Sequence, residues 1–162
     1  MDYFLLKYLH ILGATVLQGT GAGIAYFMVA AHRTGSAAII AAVARIVVLA
    51  DFIFTATAVV LQPISGALLA WNAGYFLGEG WVVLSILLYL LTGAFWLPVV
   101  WMQMRMRDLA AAASSIGSPL PASYHRLFRT WFAFGFPAFA AVAGIFWLMI
   151  TRPSLPAFTF GG

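Results

Sequence analysis

Cysteine is absent from this 162-residue chain. That excludes disulfides, thiolate metal sites and iron–sulfur clusters together. Charge is nearly as scarce. Only 7% of the residues are Asp, Glu, Lys or Arg, against about a quarter in an ordinary soluble domain. So few charges cannot cover the surface of a water-soluble protein of this length. Instead, 64% of the residues are hydrophobic. Lipid is therefore the solvent for which most of the exterior is built.

The apolar residues fall into four blocks, about 5–30, 46–70, 81–102 and 131–150. Each reaches the roughly 20 residues needed to cross ~30 Å of hydrocarbon. They are continuously apolar, unlike the alternating ~10-residue strands of a membrane barrel. The first exceeds the ~7–15 apolar residues of a signal peptide and lacks a small-residue cleavage site, so it reads as a retained helix. Little length is left for a soluble domain. The expected fold class is all-α: a single transmembrane domain, a polytopic four-helix bundle of antiparallel up-down topology, with a longer polar loop at about 105–129.

Basic residues set the orientation. Arg33, Arg45, Arg105, Arg107, Arg126 and Arg129 fall in the two links on one face and make up six of the eight Lys and Arg residues. Lys7 and Arg152 fall on the other. The positive-inside rule places the arginine-rich face in the cytoplasm and both termini outside. The expected location is the bacterial cytoplasmic (inner) membrane. The net charge of +4 is accounted for by these helix ends, and with no basic groove left over nucleic acid is not an expected partner. Tyr3, Trp71, Tyr75 and Trp81 mark the outer interface, and Trp101, Tyr124 and Trp131 the inner one, where amphipathic rings prefer to sit. The tail from Pro153 to Gly162 is expected at the outer interface without regular structure.

Polar groups inside hydrocarbon are costly and usually face the bundle interior. A rise of about 1.5 Å per residue sorts them into two layers. The outer layer holds His10, Gln62 and Ser85, with Trp147 at similar depth and Lys7 one turn before His10. The inner layer holds Gln18, Asp51 and Thr55, with Trp96 nearby. A neutral imidazole in a helical bundle is a natural haem-iron ligand, and Lys7 can pair with a propionate. The other reading of His10 is a hydrogen bond to a neighbouring helix. His32 is about 33 Å further along the helix and cannot share one haem with His10. His32 and His125 both neighbour arginines and read as interfacial. Asp51 is the only carboxylate within a span. It reads either as a proton relay or substrate anchor, with Gln18, Arg45 or Arg105 as its partner, or as a structural hydrogen bond joining helices.

Gly19 and Gly23 form a GxxxG spacing suited to close helix approach, within the bundle or between subunits. Pro63, Pro98 and Pro137 interrupt three of the blocks. No catalytic triad, metal-ligand cluster or Walker pattern occurs, and no residue is assigned a catalytic role.

The run Leu6-Lys7-Tyr8-Leu9-His10-Ile11-Leu12-Gly13 resembles the Lys-x-x-His entry of CopD-like membrane proteins, a group that includes HemJ-type porphyrinogen oxidases. Three segments resemble a narrower family, the predicted integral membrane proteins of domain of unknown function 2269. They are Gly19-Thr20-Gly21, then Asp51-Phe52-Ile53-Phe54-Thr55 with Leu61-Gln62-Pro63, and Phe95 to Gln103 running into Arg105-Met106-Arg107-Asp108. The resemblance implies a four-helix membrane protein. The broader group implies b-type haem with His10 as its ligand, and no second ligand of the HemJ type matches this chain. Two expectations follow. One is a haem b or redox-linked membrane subunit with His10 on the iron. The other is a small transport or channel component, or an accessory assembly subunit, using Asp51 and Gln18.

Overall fold

The computed structural model describes residues 2–158. Four long helices account for most of them: α1 (Tyr3–Arg33), α2 (Ala37–Asn72), α3 (Gly80–Ser115) and α4 (Ala122–Thr151). Each is long and apolar enough to cross a membrane, and no strand occurs among the described residues. The connections are short, so successive helices run antiparallel and the architecture is an all-α bundle. Each interhelical turn carries a glycine at positive φ: Gly35 at 67°, Gly74 at 72° and Gly117 at 63°. Only a residue without a Cβ adopts that conformation at no steric cost.

The helix ends follow local chemistry. Ser36 caps α2 by accepting from the Ile39 backbone N–H at 3.4 Å. The segment 105–129 is helical except for residues 116–121. Ala110 to Ala113 are strong helix formers and carry α3 beyond its apolar block. Gly117, Pro119 and Pro121 then break the chain before α4 begins.

Packing is uneven along the bundle. The main core lies in the arginine-rich half, where Ile24, Met28, Ile40, Val47, Met102, Met106 and Tyr124 bury against one another. Among the described residues the opposite half holds a smaller buried cluster, of Trp81, Val82 and Leu148. In that half α2 packs on α1 and α3 packs on α4. Large apolar side chains such as Ile46, Leu97, Phe136 and Ile150 face outward, as lipid contact requires. A Cβ added at Gly19 would meet nothing within 4 Å, so that side of α1 is open.

The tail folds back over the α2–α3 loop. Arg152 donates to the Tyr75 hydroxyl and sits 5.0 Å from the centre of that ring. Phe158 N–H donates to the Gly78 carbonyl at 2.8 Å. A Cβ on Gly80 would stand 2.6 Å from the Leu155 Cβ, so glycine there lets the tail pass. Pro153 to Phe158 has neither helix nor strand. The final four residues of the expected interfacial tail, 159–162, lie outside the described residues.

Candidate functional site

His10 and Gln62 meet in the termini-side half of the bundle. The His10 Nδ1 lies 2.8 Å from the Ser65 Oγ on α2. Ser65 directs its own proton to the carbonyls of Leu61 (2.8 Å) and Gln62 (3.1 Å) on its own helix. With that proton kept on its own helix, the Ser65 oxygen is free to accept from the imidazole. That arrangement assigns the proton to Nδ1 and leaves the lone pair on Nε2. The Gln62 Nε2 donates to the His10 backbone carbonyl at 2.9 Å.

Two glycines make room for this exchange. A Cβ on Gly66 would come within 3.2 Å of the His10 Cε1, and one on Gly13 within 2.6 Å of the Gln62 Nε2. Each helix thus offers a glycine to the polar side chain of the other. The remaining expected members of the outer layer lie elsewhere. Lys7 is exposed, with its ammonium 5.9 Å from the Tyr3 ring centre. Ser85 is buried and donates to the Trp81 carbonyl of its own helix at 2.7 Å. Trp147 is 67% exposed on the outside of α4. Ser65, Gly13 and Gly66 were not singled out by sequence reasoning. Their signal was spacing: Gln62, Ser65 and Gly66 share one face of α2 at i, i+3 and i+4.

Asp51 organises the other half. Residues Asp51–Thr55 form a π-helical turn inside α2, a wide turn that recurs at functional sites. Asp51 is only 2% exposed. Its Oδ1 accepts from the Trp96 indole N–H at 3.2 Å. Its Oδ2 accepts from the Gln103 amide nitrogen at 3.1 Å, and the Gln103 oxygen accepts from the Trp131 indole N–H at 3.1 Å. The amide orientation follows from this network. An indole only donates, so the two tryptophans at the ends force every bond to run toward the carboxyl group.

Thr55 is buried one π turn beyond Asp51, and its hydroxyl has no hydrogen-bond partner among the described residues. Gln18 is half-buried on α1, and it makes no hydrogen bond to Asp51. No arginine pairs with Asp51 either; the ion pair among the described residues joins Arg107 to Asp108. Asp51 and Trp96 are thus brought together, while Gln103 and Trp131 take the places expected for Gln18 and arginine. Trp96 and Gln103 are seven residues apart, which puts both on one face of α3.

At the arginine-rich end, His32 stacks on Phe128 with ring centres 3.6 Å apart, and its Nδ1 lies 3.2 Å from the buried Tyr124 hydroxyl. His125 stands edge-on to His32 at 5.8 Å. Among the described residues, no three His, Asp or Glu side chains are grouped to hold a metal ion. Any metal bound through His10 would have to bring most of its own ligands, as haem iron does.

The chain belongs to the family described as predicted integral membrane protein (DUF2269), whose model matches residues 4–153. No curated protein and no solved structure matches it.

Proposed function

We propose that this integral membrane protein is a b-type haem-binding, redox-linked subunit with His10 as the iron ligand. The observation that carries the reading is the Ser65 hydroxyl 2.8 Å from the His10 Nδ1. With the proton on Nδ1 shared with Ser65, Nε2 would present its lone pair, the arrangement of metal-bound histidines whose other nitrogen donates to a fixed oxygen. A planar group would sit against the α1–α2 pair in the half whose buried cluster is the smaller, or between this chain and a second subunit. Lys7, one turn away on α1, would balance a propionate. Haem would supply one-electron chemistry, and this chain would orient and insulate it. By the arginine bias, the protein would sit in a bacterial cytoplasmic membrane with His10 toward the outer leaflet.

The absorbance spectrum of detergent-purified protein, expressed with ample haem, tests this. A Soret band is expected in the wild type and is lost in His10→Ala at unchanged helix content. No band in the wild type, either as purified or after reconstitution with haem, overturns it.

A second reading is favoured by a different observation, the unpartnered Thr55 hydroxyl beside Asp51 in the π turn. In that reading the protein is a transport-linked or accessory subunit and Asp51 is its intramembrane polar site. It expects no pigment, and an activity that needs a carboxyl group at position 51 specifically.

A further inference from the structure

The arginine-rich end carries a second feature that the redox reading does not use. Between α3 and α4 lies an open cavity of about 440 Å³, lined by Trp101, Arg105, Leu109, Ser123, Arg126 and Leu127 among others. Its depth can be read from tryptophans. Trp81 and Trp101 stand 20 residues apart on α3, about 30 Å along the helix, which matches the hydrocarbon thickness. Arg105 is one turn beyond Trp101, at headgroup level. Arg126 is one turn outside Thr130 on α4 and reaches the same level from the facing helix.

The chemistry around the cavity is that of a phosphodiester site. Two guanidinium groups from different helices border one space. Arg107 on α3 pairs with Asp108 at 2.8 Å and lies in a separate groove with Arg45. Neither Arg105 nor Arg126 has a carboxylate partner among the described residues. Guanidinium forks match phosphate oxygens bidentately. Ser123 adds a hydroxyl at the rim. Trp101 and Leu127 supply apolar surface on the bilayer side, against which a glycerol and acyl chain can lie, and Leu109 closes the cavity one turn beyond Arg105. Basic pockets between membrane helices at headgroup depth suit anionic lipids. We infer that the α3–α4 cavity is a binding site for the headgroup phosphate of an anionic phospholipid.

Native mass spectrometry of the full chain tests this, using phosphatidylglycerol and phosphatidylcholine as probes. Phosphatidylglycerol is expected to be retained at least about tenfold better than phosphatidylcholine, and to lose at least about tenfold in Arg105→Gln and Arg126→Gln, the scale of a lost hydrogen bond to a charged group. Arg107→Gln removes the same charge from the other groove and is expected to keep the lipid. Where a Gln variant fails to fold, Arg105→Lys and Arg126→Lys preserve charge and orientation but remove the fork, and are expected to weaken binding as well. Ser123→Phe fills the rim without altering charge and is expected to lower retention. Equal retention of the two lipids, or an equal loss in Arg107→Gln, overturns the inference. Displacement of the lipid by millimolar inorganic phosphate would show a free-phosphate site and overturns the lipid assignment.

Discussion

The Tyr89 hydroxyl on α3 donates to the backbone carbonyl of Val59 on α2. That carbonyl lies four residues before Pro63, which has no N–H to return to it. In lipid an unpaired carbonyl finds no water, so a neighbouring helix must supply the donor. Tyr89→Phe is expected to destabilise the protein by about 0.6 kcal/mol and at most ~1.7, the range of interhelical hydrogen bonds in membranes. The same change in a Pro63→Ala background is expected to cost less, because alanine at that position restores the helical donor. Denaturation of the four variants in detergent gives the coupling directly.

The Asp51 network makes a stricter prediction. Both indoles donate inward, so the chain of groups needs an acceptor with no proton to give at its centre. Asp51→Asn adds a donor, and no amide orientation then satisfies Trp96, Gln103 and Trp131 together. It is expected to cost about 1–3 kcal/mol, the penalty for an unpaired buried polar group. The double variant Asp51→Asn with Gln103→Glu reverses the middle bond and satisfies every group again. Its stability and its tryptophan fluorescence should return toward wild type. An activity lost in the single variant and still absent from the refolded double variant would mark position 51 itself as the working carboxyl group.

The four spans are legible because long apolar blocks dictate helices in lipid, and depth alone puts His10 and Gln62 in one layer; their contact, from the Gln62 amide to the His10 backbone carbonyl, is a matter of helix rotation. Depth does not fix direction around the helix axis. Ser85 and Trp147 share the depth of His10, but Ser85 bonds its own helix and Trp147 faces outward. Trp131 reads as an inner-interface ring and Gln103 as ordinary interface because both stand at the edges of the apolar blocks, whereas the structure buries them beside Asp51. The extension of α3 beyond its apolar block to Ser115 follows alanine propensity rather than hydropathy, so the apolar pattern alone leaves it in the loop.

Ser65 offers a test of the haem reading that leaves the iron ligand in place. Ser65→Ala removes the acceptor that fixes the His10 tautomer. Partners of a metal-bound histidine typically contribute 10–100-fold in affinity, so a drop of about that size is expected in haem titrations. The Soret band should persist at saturating haem, since Nε2 remains. Ser65→Thr retains the hydroxyl and should recover most of the affinity. A Ser65→Ala protein that titrates like wild type would place the haem, if bound, away from His10.

Glycines on one helix are expected to differ in their response to alanine. Ala at position 13 would set its Cβ 2.6 Å from the Gln62 Nε2, whereas Ala at position 19 would meet nothing within 4 Å. Gly19→Ala therefore reports the backbone effect alone, a gain of about 0.5–1 kcal/mol in a helix. Gly13→Ala carries the same gain but forces the Gln62 amide off the His10 carbonyl, so it should be less stable than Gly19→Ala by about the ~0.6 kcal/mol of that bond. Adding Gln62→Ala to Gly13→Ala should then cost little more. The open face makes a separate prediction about self-association. Gly19→Leu and Gly23→Leu start from positions where an added Cβ meets nothing within 4 Å and Phe27 at 3.9 Å, respectively. If a second copy packs on that stripe, the Leu variant keeps the helix content of the wild type and loses dimer in cross-linking and light scattering. Unchanged association would assign the two glycines to lipid contact.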